Sequence, residues 1–159
     1  MERLPYIDDH VKTINATPER VWAALLSTMR GQPGHQLPRP LVAAWGLEHP
    51  TRSGDWTDSV SAGDTVAGFA VYETEPPRLL RLRGSHRFSR YEFRFELHPI
   101  DPDRVELHAK TSAAFPGVHG RIYRALVIGT GGHRIAVRRM LTAVARRAER
   151  KTRPSEAGS

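Results

Sequence analysis

Residues 89–98 read SRYEFRFELH, and from Arg90 onward they alternate between charged or polar and apolar side chains. Tyr91, Phe93, Phe95 and Leu97 fall on one face of an extended strand, and the charged residues fall on the other. A period of two is typical of a β-strand, because successive side chains point to opposite faces of a sheet. One apolar and one charged face indicate an antiparallel sheet that is covered on one side and solvated on the other.

Neighbouring segments show the same period. It predicts four further strands: His10–Asn15, Thr65–Glu75, Arg78–Arg83 and Arg104–Phe115. Pro76-Pro77 and Asp101-Pro102-Asp103 are typical turn sequences. Because turns this short join antiparallel neighbours, we expect the later strands to form a meander.

A helix is predicted directly after the first strand. Thr17 is a good N-cap, Pro18 suits the first helical position, and Glu19 carries a negative charge in the first turn. The predicted helix extends from Pro18 to Met29, and its apolar face consists of Val21, Trp22, Leu25, Leu26 and Met29. Prolines and glycines interrupt residues 31–40. A short second helix is expected at Leu41–Leu47, and a loop or weak strand at Thr51–Asp64.

A long amphipathic helix is predicted over Gly117–Lys151. Its apolar stripe contains Leu126, Thr130, His133, Val137, Met140, Val144 and Ala148, whereas Arg121, Arg124, Arg139 and Arg146 point the other way. Gly129, Gly131 and Gly132 interrupt it, and each interior glycine costs roughly 0.8–1 kcal/mol relative to alanine. We therefore expect either a regular helix that alanine would stabilise or, as the favoured alternative, a bend at these glycines that aims His133 at a site.

An antiparallel sheet with one apolar face needs a cover, and the C-terminal helix is the long amphipathic element available. The fold class is therefore α+β, a curved antiparallel sheet that grips a long C-terminal helix. We expect one domain over residues 6–151, with flexible tails at 1–5 and 152–159. Five segments carry a family resemblance: Thr17–Trp22, Glu75–Arg78, His86–Tyr91, Ala114–Gly117 and Ile128–Arg134. In these segments the chain resembles a bacterial branch of the helix-grip superfamily of START-like, Bet v 1-like and polyketide-cyclase proteins.

The resemblance implies a cavity between sheet and helix that holds a small, largely apolar molecule such as a lipid, a polyketide or another aromatic compound. The ligand-binding candidates are Tyr91, Phe93, Phe95, Tyr123, Leu126, Val127, Thr130, His133, Arg134 and Val137. An alternative is a polyketide cyclase or dehydratase-like enzyme, in which His133 or His86 acts as acid and base. A third possibility is an arginine-rich interaction protein with a filled interior. Each candidate also has a structural explanation, such as a histidine hydrogen-bonded to a strand carbonyl or a surface arginine.

Composition and motifs argue against several other classes. The chain has no cysteine, and its eight histidines show no metal-ligand spacing, so neither a metal nor another cofactor is expected. A net charge of +7 comes from basic residues that are scattered, so specific nucleic-acid binding is not expected. Neither a signal peptide nor a membrane span is recognisable, which favours a cytoplasmic protein. We expect it to be a monomer or a homodimer.

Overall fold

The computed structural model describes residues 4–30, 60–66, 69–86, 89–127, 129 and 131–150. Within these residues the chain forms six strands and three helices. In chain order they are β1 Tyr6–Ile14, α1 Pro18–Arg30, β2 Thr65–Val66, β3 Phe69–Glu75, β4 Leu79–His86, β5 Ser89–Asp101, β6 Arg104–Ala114, α2 Gly117–Val127 and α3 Gly132–Glu149. The predicted helix at Leu41–Leu47 and most of the predicted loop at Thr51–Asp64 lie outside the described residues.

The strands form one antiparallel sheet in the order β1-β6-β5-β4-β3-β2. Its register places Phe93 of β5 between Thr111 of β6 and Leu82 of β4. Phe95 and Leu97 are buried, as the alternation of residues 89–98 predicts. We call the face that carries these residues the inner face. The predicted α+β fold with an antiparallel meander is confirmed.

The predicted strand Thr65–Glu75 needs a correction. It is two strands, because β2 pairs antiparallel with β3 through Thr65 opposite Ala70 and Val66 opposite Phe69. Both halves have a period of two, so periodicity alone does not reveal the reversal between them. The predicted strand over residues 89–98 also extends beyond His98, and a register shift between Pro99 and Asp101 accommodates the proline.

The core lies between the inner face and two helices. All five predicted apolar residues of α1 are buried. The helix α1 contacts α3, β5 and β6. In α3 the buried residues are Val137, Leu141, Val144, Ala145 and Ala148. The cover of the sheet is therefore shared by α1 and α3, whereas the sequence pattern indicated the C-terminal helix alone.

Polar contacts fix the last turn of α3. The backbone N–H of Asn15, just after the end of β1, donates to the Glu149 carboxylate at 2.9 Å. Arg147 donates to the Ser27 hydroxyl of α1 at 2.7 Å, and Arg20 donates to the Arg150 carbonyl. These contacts join the C-terminal end of α3 to both α1 and β1.

The predicted C-terminal helix is present in two parts. α2 ends at Val127 and α3 begins at Gly132, so the expected continuous span Gly117–Lys151 is corrected. Gly131 has a φ of 73°, a left-handed conformation that ends regular helix geometry. A Cβ at Gly129 would collide with the carbonyl oxygen of Ala125. Both glycines therefore have a conformational reason, as a bend at these glycines requires, whereas the expected aim of His133 at a site stays a prediction.

Candidate functional site

The inner side chains of β6 become smaller along the strand. Val105 and Leu107 are followed by Ala109, Thr111 and Ala113, and all five are buried. The neighbouring strands β1 and β5 carry larger inner side chains beside the small ones. We call this strip of the inner face, with β6 as its floor, the inner trough.

An aromatic cluster forms one wall of the inner trough. Tyr91 and Phe93 of β5 pack edge-to-face with Phe69 of β3, at ring-centroid distances of 5.0 and 5.3 Å. Phe95 stacks on Phe93 at 6.3 Å. Phe95 is buried, whereas Phe69, Tyr91 and Phe93 are only partly buried although they belong to the apolar face of the sheet.

A glycine determines the position of Tyr91. Gly84 of β4 lies directly opposite Tyr91, and it has the same inward parity as Leu80 and Leu82. A Cβ on Gly84 would lie 2.7 Å from Tyr91 Cζ and 2.8 Å from its hydroxyl oxygen. The tyrosine ring therefore lies across the β4 backbone, in space that any larger residue at position 84 would occupy.

A polar pair forms the other wall. The register sets Asp8 of β1 opposite Thr111 and His10 opposite Ala109, so both side chains are on the inner face. His10 Nε2 and Asp8 Oδ2 are 3.1 Å apart, and the two side chains are only 13% and 12% exposed. Adjacent strands are about 4.8 Å apart, so β1 and β5 place the polar and aromatic walls roughly 10 Å apart.

The sequence prediction missed Asp8 and His10 as site residues. The first strand was predicted to begin at His10, whereas β1 begins at Tyr6. The sequence did contain a signal that these side chains face inward. Asp8, His10 and Lys12 share the parity of Ile14, which is fully buried.

The structure brings together three of the predicted ligand-binding residues, Tyr91, Phe93 and Phe95. Val137 lies in the core, and Arg134 is exposed near the start of α3. The remaining candidates have side chains outside the described part of the structure: His86, Tyr123, Leu126, Val127, Thr130 and His133. Their predicted roles therefore stay predictions.

The opposite face of the sheet carries a network of ion pairs. Arg81 contacts Glu73 at 2.6 Å and Glu92 at 2.8 Å, and Arg83 contacts Glu92 at 3.0 Å. Burial by itself would raise the pKa of Glu92, but hydrogen bonds from the two arginines outweigh it and hold that pKa below its usual value. The charged side chains of this network form ion pairs with each other, which favours a structural role for them.

The pKa of Glu96 is shifted in the same direction. Burial opposes the charged form, but hydrogen bonds from Lys110 and His98 and the nearby charge of Arg94 outweigh it and lower the pKa. Lys110 Nζ lies 3.0 Å from Glu96 Oε2 and links β6 to β5.

A separate groove of about 540 Å³ follows the solvent side of α3. Ile135, Thr142 and Ala143 line it together with Arg138, Arg139, Arg146, Arg147 and Arg150. We call this the arginine groove. It belongs to the surface of the molecule and not to the inner trough.

Comparison with solved structures identifies the architecture. The Zhui aromatase/cyclase from Streptomyces sp. R1128 matches 97% of this chain and 99% of its own, with a TM-score of 0.56 and 13% sequence identity. The chain has the helix-grip fold. The expected resemblance to the helix-grip superfamily is thereby confirmed at the level of fold.

Two further structures show the same architecture. Truncated norcoclaurine synthase from Thalictrum flavum is 10% identical, with a TM-score of 0.51 over 96% of this chain and 100% of its own. Protein CV1439 from Chromobacterium violaceum is 14% identical, with a TM-score of 0.52 over 91% and 97%. Neither a protein-family model nor a curated protein matches the sequence. None of the described helices is both long and apolar enough to cross a membrane.

Proposed function

We propose that this protein binds one small, largely apolar molecule in the inner trough of its helix-grip domain. The observation that supports this function is the aromatic cluster of Phe69, Tyr91 and Phe93. These rings lie on the apolar face of the sheet, where Leu80, Leu82 and Phe95 are fully buried, yet they remain partly exposed. Aromatic rings that stay accessible on an otherwise covered face offer a ligand a large contact area.

The distance between the walls suits a flat ring system or an acyl chain. The floor residues Ala109, Thr111 and Ala113 are buried, so a ligand first has to displace the side chains that cover them. Burying apolar area contributes about 25 cal/mol per Å², and this gain has to exceed the free energy of that displacement.

Fluorescence titration with a neutral naphthylamine dye tests the proposal. We expect saturable binding of one dye per chain, with competition by unlabelled aromatic or acyl compounds. Phe93→Ala should weaken the affinity about tenfold, because a ring contact is lost. Tyr72→Ala is the matched control, since Tyr72 lies on the outer face beneath Arg83, and it should leave dye affinity unchanged. Folded protein without saturable binding would contradict the proposal.

A second candidate function is catalysis of the cyclase or dehydratase type in the same trough. The observation that favours it is the hydrogen bond between His10 and Asp8, because a histidine oriented by a carboxylate can exchange a proton with a ligand. Mass spectrometry of small molecules released from purified protein by denaturation would supply test compounds. Conversion of such a compound by the protein would favour an enzyme, whereas its unchanged recovery would favour a binding protein.

A further inference from the structure

The hydrogen bond between Asp8 and His10 does not join two elements of the fold, because both residues belong to β1. A comparable pair within one strand is His98 with Glu96 on β5. It lies on the outer face, where His98 is 56% exposed. Asp8 and His10 are instead placed on the inner face, beside the apolar side chains of β6 and β5. Burying two polar groups on an apolar face costs free energy unless they are hydrogen-bonded.

The geometry leaves one ring nitrogen of His10 available. Nε2 faces the Asp8 carboxylate, whereas Nδ1 has no hydrogen-bond partner among the described residues. Among the described residues, Nδ1 is also not one of the fully buried side-chain nitrogen and oxygen atoms that lack a hydrogen-bond partner. When Nε2 carries the proton and donates it to Asp8, Nδ1 presents a lone pair and accepts a hydrogen bond.

From this arrangement we infer that His10 selects ligands that carry a hydroxyl group on an apolar body, such as phenols. The hydroxyl donates to His10 Nδ1, Asp8 keeps the imidazole in the tautomer that accepts, and the aromatic wall of the trough contacts the apolar body. This inference rests on the proposed function, because it names the class of ligand that the inner trough takes.

The test compares three naphthalenes of similar size by titration against the folded protein. 2-Naphthol can donate a hydrogen bond, 2-methoxynaphthalene can only accept one, and naphthalene can do neither. We expect the wild-type protein to bind 2-naphthol about tenfold more tightly than the other two. His10→Leu should remove this preference and change the affinity for naphthalene by less than about twofold. His98→Leu, on the outer face, is the matched control and should leave the preference intact.

The possible outcomes separate this inference from the proposed function. Equal binding of all three compounds by the wild-type protein would overturn the role of His10 and leave the apolar site standing. A preference that survives His10→Leu would also overturn it. If none of the compounds binds, both the proposed function and the inference fail.

A spectroscopic measurement covers the case in which His10→Leu does not fold. Addition of 2-naphthol to wild-type protein should shift the NMR resonance of His10 Nδ1, and 2-methoxynaphthalene should not. The resonances of His98 should not move with either compound. An unchanged His10 signal at saturating 2-naphthol would overturn the inference.

Discussion

Gly84 shows how one residue determines the shape of the candidate site. Any side chain at this position would meet the Tyr91 ring, with Cζ only 2.7 Å from the added Cβ. We expect Gly84→Ala to lower the free energy of unfolding by about 1–3 kcal/mol, because the ring is forced out of its place. Urea denaturation monitored by circular dichroism would measure the loss.

A double-mutant cycle with Tyr91→Ala tests the cause. When the ring is absent, Gly84→Ala should cost much less, and the two substitutions should be clearly non-additive. Ser85→Ala, at the exposed neighbouring position, is the control and should change stability little. Additive effects of Gly84→Ala and Tyr91→Ala would show that the ring does not depend on the glycine.

The polar wall of the trough illustrates why single residues were missed in the sequence. The β1 segment places Lys12 on the inner face with Ile14, and it leaves Val11 on the outer face 51% exposed. Such an edge strand lacks the clean alternation of β5, so parity with Ile14 is only a weak signal of which polar residues face inward. Only the pairing register with β6 shows that Asp8 and His10 lie beside Thr111 and Ala109.

At the scale of elements, the break between α2 and α3 depends on the conformation of Gly131. Its φ of 73° is unfavourable for residues with a Cβ, by roughly 1–2 kcal/mol. Gly131→Ala should therefore destabilise the protein by about that amount, although alanine is the better helix former. Gly131→Asn should cost less, since asparagine tolerates the left-handed region. Thermal unfolding of both variants would measure this, and stabilisation by alanine would indicate one continuous helix.

The ion pairs of the outer face predict how the sheet responds to acid. Because the folded-state pKa of Glu92 is lowered, its stabilising contribution is complete above the unfolded-state pKa and is lost as the pH falls through the folded-state pKa. We expect stability to decline below about pH 4. Urea midpoints measured between neutral and acid pH should show a smaller decline for Glu92→Gln than for the wild type.

Glu75→Gln is the control for this measurement. Its partner Arg78 is 75% exposed, so that ion pair is screened by water and its removal should leave the acid dependence nearly unchanged. Equal acid profiles for Glu92→Gln and wild type would show that the Arg81 and Arg83 pairs contribute nothing measurable.

The elements differ in how well the sequence predicted them. The start of α1 at Pro18 and the strands β5 and β6 are specified by local signals, a cap and a strict period of two, and those predictions are confirmed. The separation of β2 from β3 and of α2 from α3 depends on backbone conformation at short connections. Composition does not report that conformation, because a glycine permits a positive φ without requiring it.

At the scale of the whole molecule, the net charge of +7 is distributed unevenly. On the sheet, arginines such as Arg81 and Arg83 are paired with carboxylates. In the arginine groove, Arg138, Arg139 and Arg146 make no ion pair with any described residue. Arg138 and Arg146 are eight residues apart, about 12 Å along the helix axis. Among the surfaces formed by the described residues, we therefore expect the solvent side of α3 to attract a polyanion most strongly.

We expect this surface to give weak association with DNA that is independent of sequence and largely lost at about 0.3 M salt, because it depends on counterion release alone. Replacing both Arg138 and Arg139 by glutamine should reduce the slope of log affinity against log salt by about two. The matched control replaces Arg78 and Arg104, whose carboxylate partners already neutralise them, and should change the slope less. Fluorescence anisotropy over a range of salt concentrations would measure both. Tight, sequence-dependent DNA binding that persists at high salt would contradict this account. DNA binding that competes with the ligand of the inner trough would also contradict it, because the arginine groove is a separate surface.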